Sequence, residues 1–335
     1  MALKMKFDWP IIGHRQVVRY LETAFINGSI GHAYIFAGPA SIGKMSVAKL
    51  FAQTLLCERA KSDANVPCNG CSSCNEVRRG THPDLYTLHR AQGELLPIEK
   101  LRSLRSSLSL RPLAGYRKVA IIEEAEYLSP GAANALLKTL EEPSPHTTLI
   151  LTSSSPDRLM RTISSRCQML FFSPAKDEDI VQSLIARGTP KQRAIEIAAV
   201  ASGRQGVALS MMDETAYDDF QNSLSVITRL LTDSPMDRFT IIESILPKSV
   251  SSSQDRAWAE ETFSRWSLLL RDAVLVSSGM KRSLPSTRKH YVDTIARKHN
   301  SAKLNSLLRF CISARKLIQQ NVQIRLIFES FALSA

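Results

Sequence analysis

The sequence predicts an α/β P-loop domain, a parallel sheet with flanking helices, followed by a region that is helical throughout. Three observations carry this expectation. Residues 34–37, Tyr-Ile-Phe-Ala, make a short apolar run, and Gly38, Gly43 and Lys44 follow it at the G-x-x-x-x-G-K spacing of a phosphate-binding loop that opens a helix. Residues 118–122, Lys-Val-Ala-Ile-Ile, form another strand-like run that ends at once in Glu123 and Glu124. After Pro174 the alternation of strand-like runs with helical patterns stops, and only helical spacing remains.

In such a loop the glycines let backbone N–H groups turn toward a phosphate, the helix N-terminus adds its positive end, and the Lys44 ammonium adds a point charge. The next position departs from the pattern. A Ser or Thr hydroxyl there normally binds Mg²⁺, whereas Met45 offers a thioether that a hard cation does not select. Ser46 does not replace it, because one step along a helix turns the side chain by about 100°. The acids after residue 122 match a Walker B arrangement, in which the first acid, normally Asp, holds Mg²⁺ through water and the second polarises the attacking water. Glu123 is one methylene longer than Asp, so both magnesium-handling positions are altered. Binding of ATP or ADP with weak or no hydrolysis is the expectation.

At 335 residues the chain suits two or three domains, and 44% apolar with 22% charged residues excludes disorder over most of its length. No apolar run approaches ~18 residues and the N-terminus lacks a secretory core, which predicts a cytoplasmic protein away from membranes. The net charge of +12 is uneven: residues 281–335 hold eleven Lys or Arg against Asp293 and Glu329. That excess suits nucleic acid or an acidic partner, and equally a solvated helical surface.

In chain order, Val17, Val18, Leu21, Ala24 and Phe25 fall at helical spacing before the first strand, and the P-loop helix runs from about residue 44 to 56. It leads into Cys57, and Cys68, Cys71 and Cys74 follow. Four thiolates within eighteen residues can close a tetrahedral Zn²⁺ site, structural because no coordination position stays open for water. Two alternatives are weaker: an iron–sulfur site, since no Cys-Pro follows Cys74, and unliganded cysteines. A second strand is expected at 85–88, a helix at 98–110, another at 130–140, and strands at 148–152 and 168–172, with Ser153, Ser154 and Ser155 placed to sense a γ-phosphate. Helices at 177–186 and 190–200 follow. Beyond residue 216 three helical stripes are expected to be core: Phe220, Leu224, Ile227 and Leu231; Trp258, Phe263, Trp266, Leu269 and Leu270; and Leu304, Leu307, Leu308, Ile312, Leu317 and Ile318. Residues 249–253 and 277–286 read as polar connectors.

Asn-Ala-Leu-Leu-Lys-Thr-Leu-Glu-Glu-Pro (134–143), Ser-Pro-Asp-Arg-Leu (155–159) and Ser-Arg-Cys (165–167), with the cysteine insertion directly after the P-loop helix, closely resemble the AAA+ subunits of bacterial sliding-clamp loaders of DNA polymerase III. The resemblance spans about residues 10–210. It implies a AAA+ domain at 1–173 with a zinc knuckle at 57–74, a small helical lid at 174–214 and an all-α oligomerisation collar at 215–335. It also implies that Arg166 is an arginine finger reaching a neighbouring subunit's ATP site, and that Arg204, at a helix start, is the sensor-2 arginine; a helix-terminal arginine facing solvent is nearly as good a reading. Within the family the altered Met45 and Glu123 resemble the delta-prime type, a stator without strong ATPase of its own, although Gly38, Gly43 and Lys44 are kept. Partners would be gamma/tau and delta subunits, the sliding clamp and primed DNA. An ATP-hydrolysing gamma/tau-type motor is the alternative. A knuckle that itself binds nucleic acid is a third reading, poorly supported because Arg59 and Lys61 are balanced by Glu58 and Asp63.

Overall fold

A computed structural model describes residues 6–7, 9–60, 65–91, 94–247, 253–280, 286–320 and 322–335. Lys61, Asp63 and connector residues 249–252 and 281–285 lie outside the described residues. The strands are β1 (Lys6–Phe7), β2 (Ala33–Ala37), β3 (Asn65–Val66), β4 (Leu85–Leu88), β5 (Lys118–Ile122), β6 (Thr147–Ser153) and β7 (Gln168–Phe171). Five of them form one parallel sheet in the order β4-β5-β6-β2-β7, and β1 pairs separately with β3.

The helices of the first half are α1 (Arg15–Ile26), α2 (Lys44–Leu56), α3 (Ser72–Arg79), α4 (Ile98–Ser109), α5 (Pro130–Glu141), α6 (Arg161–Ser164) and α7 (Asp177–Ala186). Every residue of β2, β5 and β6 is buried, as expected of parallel strands covered on both faces. Alternation along each strand divides the core. Tyr34, Phe36, Val119, Ile121 and Ile150 face Val17 and Leu21 of α1 and Val47, Phe51 and Leu56 of α2. Ile35, Ala120, Ile122, Leu149 and Leu151 face Leu101, Leu104 and Leu108 of α4 and Leu136 and Leu140 of α5.

Beyond these lie α8 (Lys191–Ala201), α9 (Gln205–Ser210), α10 (Glu214–Thr232), α11 (Pro235–Ile245), α12 (Ser253–Ser277), α13 (Ser286–Lys298), α14 (Ser301–Gln319) and α15 (Ile324–Ser334). The chain separates into two compact units, one of residues 1–183 and 202–207, the other of 184–201 and 208–335. In the second unit Phe263, Trp266, Phe328 and Phe331 are fully buried, and Trp266 donates its indole N–H to the Ser223 carbonyl at 3.2 Å. Of the third expected stripe, Ile312 and Leu317 are exposed instead. The buried face of α14 is Leu304, Leu307, Cys311, Ala314 and Ile318, a row with two small residues in it that an aliphatic pattern passes over.

None of the described helices is long and apolar enough to cross a membrane.

Candidate nucleotide and metal sites

Parallel strands bring the C-terminal ends of β2, β5 and β6 to one edge of the sheet, where α/β proteins commonly seat ligands. The P-loop leaves β2 there. Gly43, the residue before α2, sits at φ +99°, which L side chains rarely adopt, and a Cβ on Gly38 would lie 2.5 Å from the Phe172 carbonyl oxygen. Lys44 begins α2 and is buried, with Nζ donating to the carbonyls of Gly38 at 2.6 Å and Pro39 at 2.7 Å and to Ser154 Oγ at 3.3 Å. Burial pulls its pKa below the ordinary lysine value, against the opposing pull of Glu126, Glu124 and Glu123. The ammonium therefore rests on the loop's own carbonyls, beside the serine of 153–155 that the sequence placed at the phosphate end.

The acids after β5 are arranged unequally. Glu124 stands at φ 50°, and its carboxylate accepts from Arg90 Nε at 2.7 Å, while the Arg90 guanidinium lies 4.0 Å from the centre of the Tyr127 ring. Glu126 accepts from the Ser154 N–H at 2.8 Å through Oε1, and its buried Oε2 has no hydrogen-bond partner among the described residues. Glu123 is tied through its backbone, whose N–H donates to the Leu88 carbonyl at 2.9 Å.

Two residues that the sequence reading passed over close the loop from outside. His14, left-handed at φ 52° ahead of α1, places Nε2 2.7 Å from the Ile42 carbonyl and 3.0 Å from Gln205 Nε2. Gln205 Nε2 also donates to the Ile12 carbonyl, and the Gly206 N–H donates to the Ser41 carbonyl at 2.7 Å. Arg204, singled out at this helix start, directly precedes these two residues. Burial lowers the pKa of His14, so the imidazole is neutral at neutral pH. No local signal marks His14, Gln205 or Arg90, since each acts across a long stretch of chain.

Arg166 follows α6 and is 38% exposed; it pairs with Glu141 of α5 at 3.0 Å and donates to the Thr162 carbonyl at 3.1 Å. An exposed pair of this kind is worth little and is easily exchanged.

The cysteine cluster is compact. The four sulfurs of Cys57, Cys68, Cys71 and Cys74 all lie within 4.8 Å of one another, with Cys68 and Cys74 3.9 Å apart. A Zn–S bond of about 2.3 Å requires sulfurs about 3.8 Å apart in a tetrahedron, so the set fits zinc. The hydrogen bond between them pulls the Cys57 thiol down and pushes the Cys74 thiol up, so of this pair Cys57 is the more readily ionised to the thiolate that a metal takes. Around the sulfurs, Gln53 of α2 donates to the Cys74 carbonyl at 3.2 Å and to Asn69 Oδ1 at 3.1 Å, fixing the knuckle to the P-loop helix.

Residues 13–176 match the protein family described as DNA polymerase III, delta subunit. Delta' of Bacillus subtilis (strain 168) is 33% identical over 217 residues, 63% of this chain and 64% of that one. Delta' of Pseudomonas aeruginosa is 42% identical over 137 residues, 41% of each chain, and tau of B. subtilis is 35% identical over 210 residues, 61% of this chain and 37% of that one. The matches thus span 37% to 64% of these relatives' lengths. Over the P-loop domain, residues 13–176, the chain is thus similar to the bacterial clamp-loader AAA+ subunits of DNA polymerase III.

Proposed function

We propose that the chain is a clamp-loader subunit of delta-prime type: a largely non-motor stator that lends Arg166 to a neighbouring ATPase subunit while the assembly loads the sliding clamp onto primed DNA. In this reading residues 1–173 are the nucleotide domain, 174–214 a lid carrying Arg204 as sensor, and 215–335 the collar that joins gamma/tau and delta subunits. The observation that carries it is the state of the hydrolytic positions. Met45 stands where a hydroxyl would hold Mg²⁺, Glu123 replaces the usual Asp, and Glu124, the residue that would polarise water, is held by Arg90 at 2.7 Å. A loop with Lys44 and both glycines can still hold ATP or ADP, with Lys44 moving from the loop's carbonyls to the phosphate. Zinc held by the four cysteines supplies a structural cross-link and no chemistry.

Arg166 suits a role in trans because its own partner is a half-exposed glutamate. A guanidinium delivered as charge develops on a γ-phosphate is worth about 10³–10⁵ in rate at a single site. The test is a reconstitution with motor and delta subunits, clamp and primed DNA, comparing ATP turnover for the wild type and Arg166→Ala. A fall of ~10-fold or more with the assembly intact is expected; an unchanged rate removes Arg166 from catalysis.

The motor reading is favoured by one observation, the intact and buried Lys44 beside the tau-like sequence. Steady ATP turnover by the purified chain that vanishes in Lys44→Ala would establish it and overturn the stator.

A further inference from the structure

The zinc knuckle and the P-loop are joined by two physical routes. The first is α2 itself: its N-cap is Gly43 of the loop and its C-cap is the ligand Cys57, so one rigid helix of 13 residues has the phosphate-binding lysine at one end and the metal at the other. The second is a row of rings. β1 pairs in parallel with β3 of the insertion, which sets Phe7 against the small cluster of Cys57, Ala60, Val66, Cys71 and Cys74. Phe7 meets Trp9 edge-on with centroids 6.3 Å apart, and Trp9 meets Phe51 of α2 at 6.2 Å. From Phe51 the row continues to Tyr34 at 5.7 Å, Phe36 at 6.5 Å and Phe172 at 5.1 Å, and it ends on His14 at 4.8 Å, the residue bonded to the Ile42 carbonyl of the P-loop. Phe7 also meets Phe25 of α1, the helix that His14 precedes, at 5.9 Å.

The knuckle cluster is too small to hold its shape by burial alone, and four sulfurs around one ion would fix it. The rings from Phe51 to Phe172 share one close-packed core, which transmits a displacement rather than absorbing it. We propose that the zinc knuckle is a positioning module for the P-loop: the metal fixes Phe7 and Cys57, and through the ring row and α2 these fix His14 and residues 38–44. Losing the metal then loosens the loop without unfolding the sheet. This rests on the P-loop being the nucleotide site, and its test does not require nucleotide.

Amide hydrogen exchange on the full chain, zinc-loaded and after chelation, separates the outcomes. Exchange about 10-fold faster in residues 9–14 and 38–44, with β5 unchanged, is expected. Acceleration confined to residues 57–80, or rising equally through β5, would overturn the proposal. Phe7→Ala keeps all four ligands; it should retain zinc and still speed exchange in residues 9–14, and unchanged exchange there overturns the ring route. Failure of the nucleotide reading shows separately, as no change in residues 38–44 when ADP is added to the zinc-loaded chain.

Discussion

His14 is held where a proton is unwelcome, with its ring against Phe172 and its Nε2 2.7 Å from the Ile42 carbonyl and 3.0 Å from Gln205 Nε2. Burial sets its folded pKa below the unfolded value of 6.5, so below that pH the unfolded chain binds more protons than the folded one. Stability is therefore lost as pH falls through 6.5 toward the folded pKa, by at most about 1.4 kcal/mol per pH unit for one proton. His14→Asn, which tolerates the left-handed φ, should show a shallower decline between about pH 6.5 and 5.5 in urea melts; parallel curves would clear His14 of this role. Asp84 is wholly buried, and its two side-chain oxygens accept the N–H groups of Leu113 and Ala114 at 2.8–3.0 Å. Asp84→Asn turns an N–H toward those donors and should cost about 1–3 kcal/mol by chemical denaturation. The glycines, Lys44 and the four cysteines were legible because their chemistry is encoded in short spacing. His14, Gln205 and Arg90 were not, because Gln205 lies 191 residues from His14 and Arg90 lies 34 from Glu124, and only the fold brings them together.

Helix α5 carries Glu141, the present partner of Arg166, and its start is fixed by Ser129, whose Oγ accepts the Ala132 N–H at 3.2 Å ahead of Pro130. Ser129→Ala should cost about 1 kcal/mol, read as an equal shift in unfolding free energy with no change in the denaturant slope. In the second unit, α12 and α13 are tied by Asp272 and Arg288, both buried and 3.3 Å apart. Asp272→Asn removes the carboxylate charge opposite a buried guanidinium and should cost roughly 3 kcal/mol or more, whereas an apolar replacement of both residues should recover most of it. Elements with a clear period were read almost to the residue: β4 and β5 match their expected bounds, and β6 is longer by one residue at each end. β1 and β3 escaped because two residues show no period, and α3 because it starts inside the cysteine motif, capped by the Cys71 sulfur. α14 was assigned a stripe that is partly exposed because Cys311 and Ala314, rather than Ile312 and Leu317, occupy the inward positions.

For the whole molecule an ion held by the four cysteines would pose a question of scale. In a small zinc domain the ion is the core, and its loss unfolds the chain. Here the P-loop unit has two buried clusters sandwiching a five-stranded sheet, and the cysteine cluster is a third, much smaller one. Chelation should therefore leave the far-UV circular dichroism at 25 °C nearly unchanged while lowering the apparent melting temperature, by about 2–4 °C for each kcal/mol the knuckle contributes. Cys71→Ser, which removes one ligand and the sulfur that caps α3 while leaving the sheet's own side chains alone, should reproduce that shift and be insensitive to further chelator. Loss of the helical spectrum at 25 °C on chelation would mean instead that the sheet depends on the metal, and that the two large clusters do not suffice to hold the strands whose C-terminal ends frame the P-loop.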